Sequence, residues 1–79
     1  MVSVKDYIVI DPKVMFGKPV IKGTRIPVYV VLNLLAEGLT QAQVVRNYPD
    51  LSLEAIQACL IFASKRAEFE EEKILETNR

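Results

Sequence analysis

Six residues between Gly17 and Val28 carry chemical potential: Gly17, Lys18, Lys22, Gly23, Thr24 and Arg25, within the stretch GKPVIKGTRIPV. Glycine beside lysine and threonine is the material of a phosphate cradle, in which backbone amides and a lysine close on an anion. A P-loop requires Gly-x-x-x-x-Gly-Lys-Ser/Thr. Here Lys18 follows the first glycine and Thr24 follows the second, so the spacing fails. Pro27 also removes an amide hydrogen where a strand-to-helix anion site would need one. The structural reading of the same residues is a turn at Gly23 and a helix launched at Pro27. Lys18, Lys22 and Arg25 are then candidate contacts to nucleic-acid phosphates.

The remaining chemistry is sparse. The chain has no histidine, which removes the commonest general base and metal ligand. Its one cysteine, Cys59, excludes an internal disulfide and a cysteine-based metal site. Cys59 falls on an apolar helical stripe without a base beside it, which reads as a buried structural thiol. Glu70, Glu71 and Glu72 are adjacent on a helix and point apart, so they do not converge on a cation. No catalytic, cofactor or metal residues are expected, and no enzymatic activity.

The elements that hold these residues follow from pattern. A chain of 79 residues is one small domain. YIVI, closed by Asp11-Pro12, reads as a strand, and Val20 to Lys22 as its partner. A β-hairpin over 7–26 results. Pro27 and Gly38 bracket a helix over about 28–37 that is apolar all round apart from Asn33 and Glu37, which implies burial on most sides. Thr40 and Gln43 form a capping box for a helix over about 41–48, ended by Pro49. Ser52 caps a third helix, with Glu54 in its favourable first turn, over at least 53–67. The fold class is α+β, mostly α: an N-terminal hairpin, then a trihelical, helix-turn-helix-like bundle with a C-terminal helical extension. The domain spans 1–67 and an acidic tail spans 68–79.

On the third helix, Leu53, Ile56, Cys59, Leu60, Ala63 and Ala67 share one stripe, read as the core face. Ala58, Phe62 and Phe69 form a second apolar stripe with Ala55 at its edge, read as a dimer or partner interface together with Ile74 and Leu75 on the tail. In a helix-turn-helix, the exposed N-terminal residues of the helix after the turn read bases. Those are Ser52, Glu54 and Gln57, with Lys65 further along; Gln57 suits adenine and Glu54 cytosine. The face is short of lysine and arginine, so Arg46, Lys65 and the hairpin must supply phosphate contacts. A plain trihelical packing unit is the alternative.

Hydrophobic residues make up 51% of the chain, a surplus that points to a homodimer or a tight complex. Net charge is zero but segregated. Residues 1–46 hold six basic and three acidic groups, and residues 47–79 hold four basic and seven acidic. No signal-like or membrane-spanning run is present, so a soluble cytoplasmic protein is expected.

GKPVIKGTRIPV, LLAEG and NYPDLSLEAIQACLIFA together resemble domain-of-unknown-function family 433, from about Ile8 to Ala67. Gly17, Lys18, Pro19, Ile21, Gly23, Thr24 and Arg25, then Tyr48-Pro49, carry the resemblance. It implies a homeodomain-like or winged-helix-like domain with an N-terminal β element. Some members resemble VapB-type antitoxins encoded beside PIN-like ribonuclease toxins. The implied function is an antitoxin-like homodimer that binds its own operator DNA and neutralises the ribonuclease through its C-terminal tail. The alternative is a non-catalytic protein-interaction module that touches no nucleic acid.

Overall fold

The computed structural model describes residues 2–77, with side chains to residue 71. Two short antiparallel strands, β1 (Ile8–Val9) and β2 (Val20–Ile21), pair Ile8 with Ile21 and Val9 with Val20. Three helices follow: α1 (Val28–Ala36), α2 (Gln41–Asn47) and α3 (Leu53–Thr77). The helices pack pairwise, and β1 and the 3-10 turn Val4–Asp6 lie against α3. The chain is thus α+β and mostly α, a hairpin docked on a trihelical body.

Each helix end is closed as its residue types dictate. Gly38, at φ 103°, continues past α1 in the left-handed region. Its amide donates to the Leu35 carbonyl and the Leu39 amide to the Leu34 carbonyl, a complete Schellman pair. Thr40 Oγ1 accepts from the Gln43 amide at 3.1 Å, and Gln43 Oε1 accepts from the Thr40 amide at 2.8 Å. Ser52 Oγ accepts from the Ala55 amide at 3.1 Å. Between α2 and α3, the Leu51 amide donates to the Tyr48 carbonyl, and Leu51 turns into the core.

Ile8, Val20, Ile21, Val28, Val31, Val44, Leu51, Ala55, Ile56, Ala58 and Cys59 form that core. Two expectations change here. The buried face of α3 is rotated from the expected stripe toward Ala55 and Ala58. Ile56 and Cys59 stay inside, while Leu53 is 54% exposed and Leu60 39%. The turn that buries Leu51 and the hairpin that covers α3 decide this rotation; the spacing of α3 alone allowed either face. α1 is also less enclosed than its composition implies. Only Val28 and Val31 are buried, and Tyr29 remains half exposed.

The expected helical extension of α3 beyond Ala67 is present. It continues to Thr77, and every described side chain from Ser64 to Glu71 is exposed. At 1.5 Å per residue the residues after Ala63 project about 21 Å.

Candidate functional site

The GKPVIKGTRIPV segment builds a turn. Gly23 takes φ 80° with open space where a Cβ would sit, so glycine serves the backbone conformation alone. Thr24 Oγ1 donates to the Ile21 carbonyl at 2.7 Å and accepts from the Ile26 amide at 3.0 Å. The Ile21 amide donates to the Ile26 carbonyl, and the Val28 amide to the Pro19 carbonyl. Between those bonds Val20 faces Pro27 as an antiparallel bridge. This pairing asks for no amide hydrogen from Pro27. The first amide of α1 is therefore spent on Pro19 and does not point at an anion. Thr24→Val should cost about 1–3 kcal/mol, since the Ile26 amide loses its acceptor in a part-buried turn. Urea unfolding measures it, and a Thr24→Ser control should recover most of the loss.

Around that turn the cations separate into two clefts. Arg25 lines a cleft of about 260 Å³ with Lys13, Val14 and Met15. Lys18 lines a second, mostly apolar groove of about 210 Å³ with Pro19, Val28, Tyr29, Leu32 and Phe62. Its ammonium lies 5.0 Å from the Tyr29 ring centre, within cation–π range. Arg66 stacks likewise on Phe62, at 4.9 Å. Lys22, Arg46, Gln57 and Lys65 are exposed but line neither cleft.

Three participants were not singled out from sequence. Lys13 joins Arg25 only because the β1–β2 loop folds back, and Tyr29 joins Phe62 only through α1–α3 packing. Phe16 is 98% exposed, at the tip of a loop where Met15, Phe16 and Gly17 all have positive φ. Left-handed backbone at two non-glycine residues is strained by about 1–2 kcal/mol each. Phe16 next to Gly17 carries no periodic signal that would reveal it.

The base-reading set on α3 is only partly free. The Ser52 oxygen accepts from the Ala55 amide, which leaves its O–H and second lone pair uncommitted at an exposed position. Glu54 and Gln57 are exposed beside the exposed Leu53. Lys65 Nζ lies 3.8 Å from Glu68, both largely exposed, a pair of little energetic weight. The interface set needs one correction: Ala58 is 0% exposed within its own chain, so it is core and cannot meet a partner. Its small side chain admits close packing, which the stripe pattern could not distinguish from an interface. Phe62 is partly buried against the core and Phe69 is 59% exposed. The side chains of Ile74 and Leu75 lie outside the described residues.

Cys59 is fully enclosed, and burial pushes its thiol from 9.0 up to about 11. A folded-state value above the unfolded one means the neutral thiol is favoured in the fold. That contribution is complete below pH 9 and is lost as pH rises through 11. Stability should therefore fall between pH 9 and 11 by an amount on the order of 2 kcal/mol. Urea titrations across that range should show a flatter decline for Cys59→Ala than for the parent. Among the described residues no three His, Cys, Asp or Glu groups converge as a metal site, and no helix is long and apolar enough to cross a membrane.

Hairpin, trihelical body and projecting helix define a small α+β domain whose surface carries cations beside a mostly apolar groove. The chain belongs to the family described as protein of unknown function (DUF433), whose sequence profile matches residues 8–63. The match ends where the side chains of α3 become exposed. A crystal structure of a DUF433 member protein from Anabaena variabilis ATCC 29413 has the same fold, with a TM-score of 0.75 and 28% identity. The similarity covers 91% of this chain and 71% of that one. Uncharacterized protein y4eO of Sinorhizobium fredii (strain NBRC 101917 / NGR234) is 30% identical over 63 residues, 80% of this chain. The chain corresponds to 28% of the length of that relative.

Proposed function

We propose that the protein is a non-catalytic interaction partner of the antitoxin type, which engages a second protein through the projecting half of α3. One observation carries this reading. α3 runs on past the body with every described side chain from Ser64 onward exposed, Phe69 among them. A helix of that length with no partner in its own chain is stabilised by docking elsewhere. The resemblance of some family members to VapB-type antitoxins suggests the class of partner, a PIN-like ribonuclease from a neighbouring gene. Co-expression followed by co-purification and an RNA-cleavage assay tests it. Stoichiometric inhibition of cleavage is the expected result, and uninhibited cleavage at saturating protein rejects the reading.

Operator binding is the second reading, favoured by the capped α2–turn–α3 unit with Arg46 in the last turn of α2 and Gln57 exposed on α3. Leu53 and Glu54 at the start of α3 weigh against it, because an apolar side chain and a carboxylate would face phosphates. A gel shift on the gene's own promoter across a salt series decides. A sequence-selective complex that weakens steeply with salt supports operator binding, and none at low salt removes it.

A further inference from the structure

We infer that the groove between α1 and α3 is the seat for the acidic end of α3 from a second copy of this chain, in a reciprocal two-fold pair. The inference rests on the reading of the α3 projection as a docking element, but not on the identity of any ribonuclease. The groove has an apolar floor of Pro19, Val28, Leu32, Tyr29 and Phe62, and a volume of about 210 Å³. Two cations stand at its edge on aromatic rings, Lys18 on Tyr29 and Arg66 on Phe62. Among the described residues the one ion pair is Lys65–Glu68. The rim cations therefore have no described carboxylate within ion-pairing distance.

The matching charge is in the same molecule but out of reach. Glu68, Glu70 and Glu71 sit on the projecting part of α3, and the sequence adds Glu72 and Glu76. α3 is one unbroken helix to Thr77, so the exposed Glu68, Glu70 and Glu71 project away from their own groove. A second copy removes the obstacle. Phe62 and Thr77 are 15 positions apart, about 22 Å along a helix. In an antiparallel pair with its two-fold axis beside Arg66–Phe69, the end of one α3 runs past Phe62 of the other. The negative charge of that end, spread round the helix rather than converging, then lies near Lys18 and Arg66, and Phe69 brings an apolar contact. A two-fold pair makes each such contact twice. The excess of base in residues 1–46 and of acid in residues 47–79 makes one chain the electrostatic complement of another. A ribonuclease that takes the same segment must first draw it out of this groove, so self-pairing limits how much of the protein is available to it.

Sedimentation equilibrium of the full chain, alone in solution, tests the pairing independently of any ribonuclease. Two full-length variants are needed: Glu70→Lys with Glu71→Lys, and Lys18→Glu with Arg66→Glu. All four positions are exposed, and matching circular dichroism spectra confirm that each variant folds. The parent should be a dimer, each variant alone should dimerise at least about tenfold more weakly, and an equimolar mixture should recover parental affinity. Only reciprocal exchange gives recovery, because in the mixture each reversed end meets an opposite rim. A monomeric parent, variants that dimerise normally alone, or a mixture without recovery would each overturn the inference. A parental dimer indifferent to salt would overturn it as well.

Discussion

Ile56→Ala should remove about 3–4 kcal/mol of stability, whereas Leu53→Ala, three positions away on the same helix, should remove less than about 1 kcal/mol. Ile56 is fully enclosed, at the centre of a core that draws on β1, β2 and all three helices. Deleting three of its carbons forfeits their transfer energy and leaves a cavity that β-branched Val31 and Val44, both rigid and fully buried, cannot fill. A domain of this size has a total stability of roughly 4–12 kcal/mol, so the loss is a large part of the whole. Leu53 loses little because half of its surface is already in water. Urea denaturation of both variants checks the result. Equal losses at the two positions would mean that α3 faces the core along the Leu53–Leu60 line, and the rotation described above would be wrong.

That pair of residues also shows where sequence reasoning reaches its limit. Three helix ends were legible because each is closed by a bond within a few residues. Thr40 with Gln43, Ser52 with the Ala55 amide, and Gly38 past α1 depend on nothing distant. The turn at Gly23 was legible for the same reason, although the part Thr24 plays in it was not, since a hydroxyl leaves its partners open. The facing of α3 was not legible. Its apolar residues are distributed so broadly that two stripes compete, and the choice is made by Leu51 and by the hairpin. Tertiary packing overrode periodicity there. Ala58 was misassigned as a consequence of that competition.

The candidate surfaces follow the same division. Lys18 and Arg25 were identified as exposed cations, yet sequence spacing grouped them as one phosphate-contacting set. In the fold they belong to different clefts, one with Tyr29 and Phe62 and the other with Lys13 and Met15. Tyr29 sits in a helix that reads as uniformly apolar, so its role as a platform for Lys18 depends on which side of α1 the body leaves uncovered. The strained backbone at Met15 and Phe16 is equally invisible, because nothing in the residue types requires a positive φ before Gly17.

If the proposed ribonuclease is the partner, truncation after Ala67 should weaken binding to it by at least about 100-fold while leaving the body's stability at low protein concentration within about 0.5 kcal/mol of the parent. Two observations set these opposite expectations. Among the described residues, the last side chains of α3 that are even partly buried are Ile61, Phe62 and Ala63, so the described residues after them contribute nothing to the core. The carbonyls freed at the new helix end face water, which satisfies them. The removed segment contains Phe69, the large apolar side chain that α3 exposes in its projecting half, together with most of its carboxylates. An exposed aromatic ring with flanking charge is the composition of a binding anchor, and Phe69→Ala alone should account for about tenfold of the loss. Titration calorimetry against the co-expressed ribonuclease, beside urea unfolding of the truncated chain, measures both quantities. Retained affinity would move the docking surface from α3 to the body, to the grooves around Lys18 or Arg25. A stability loss above about 1.5 kcal/mol would instead mean that the end of α3 packs on its own chain, and the case for a helix held out toward a partner would fail with it.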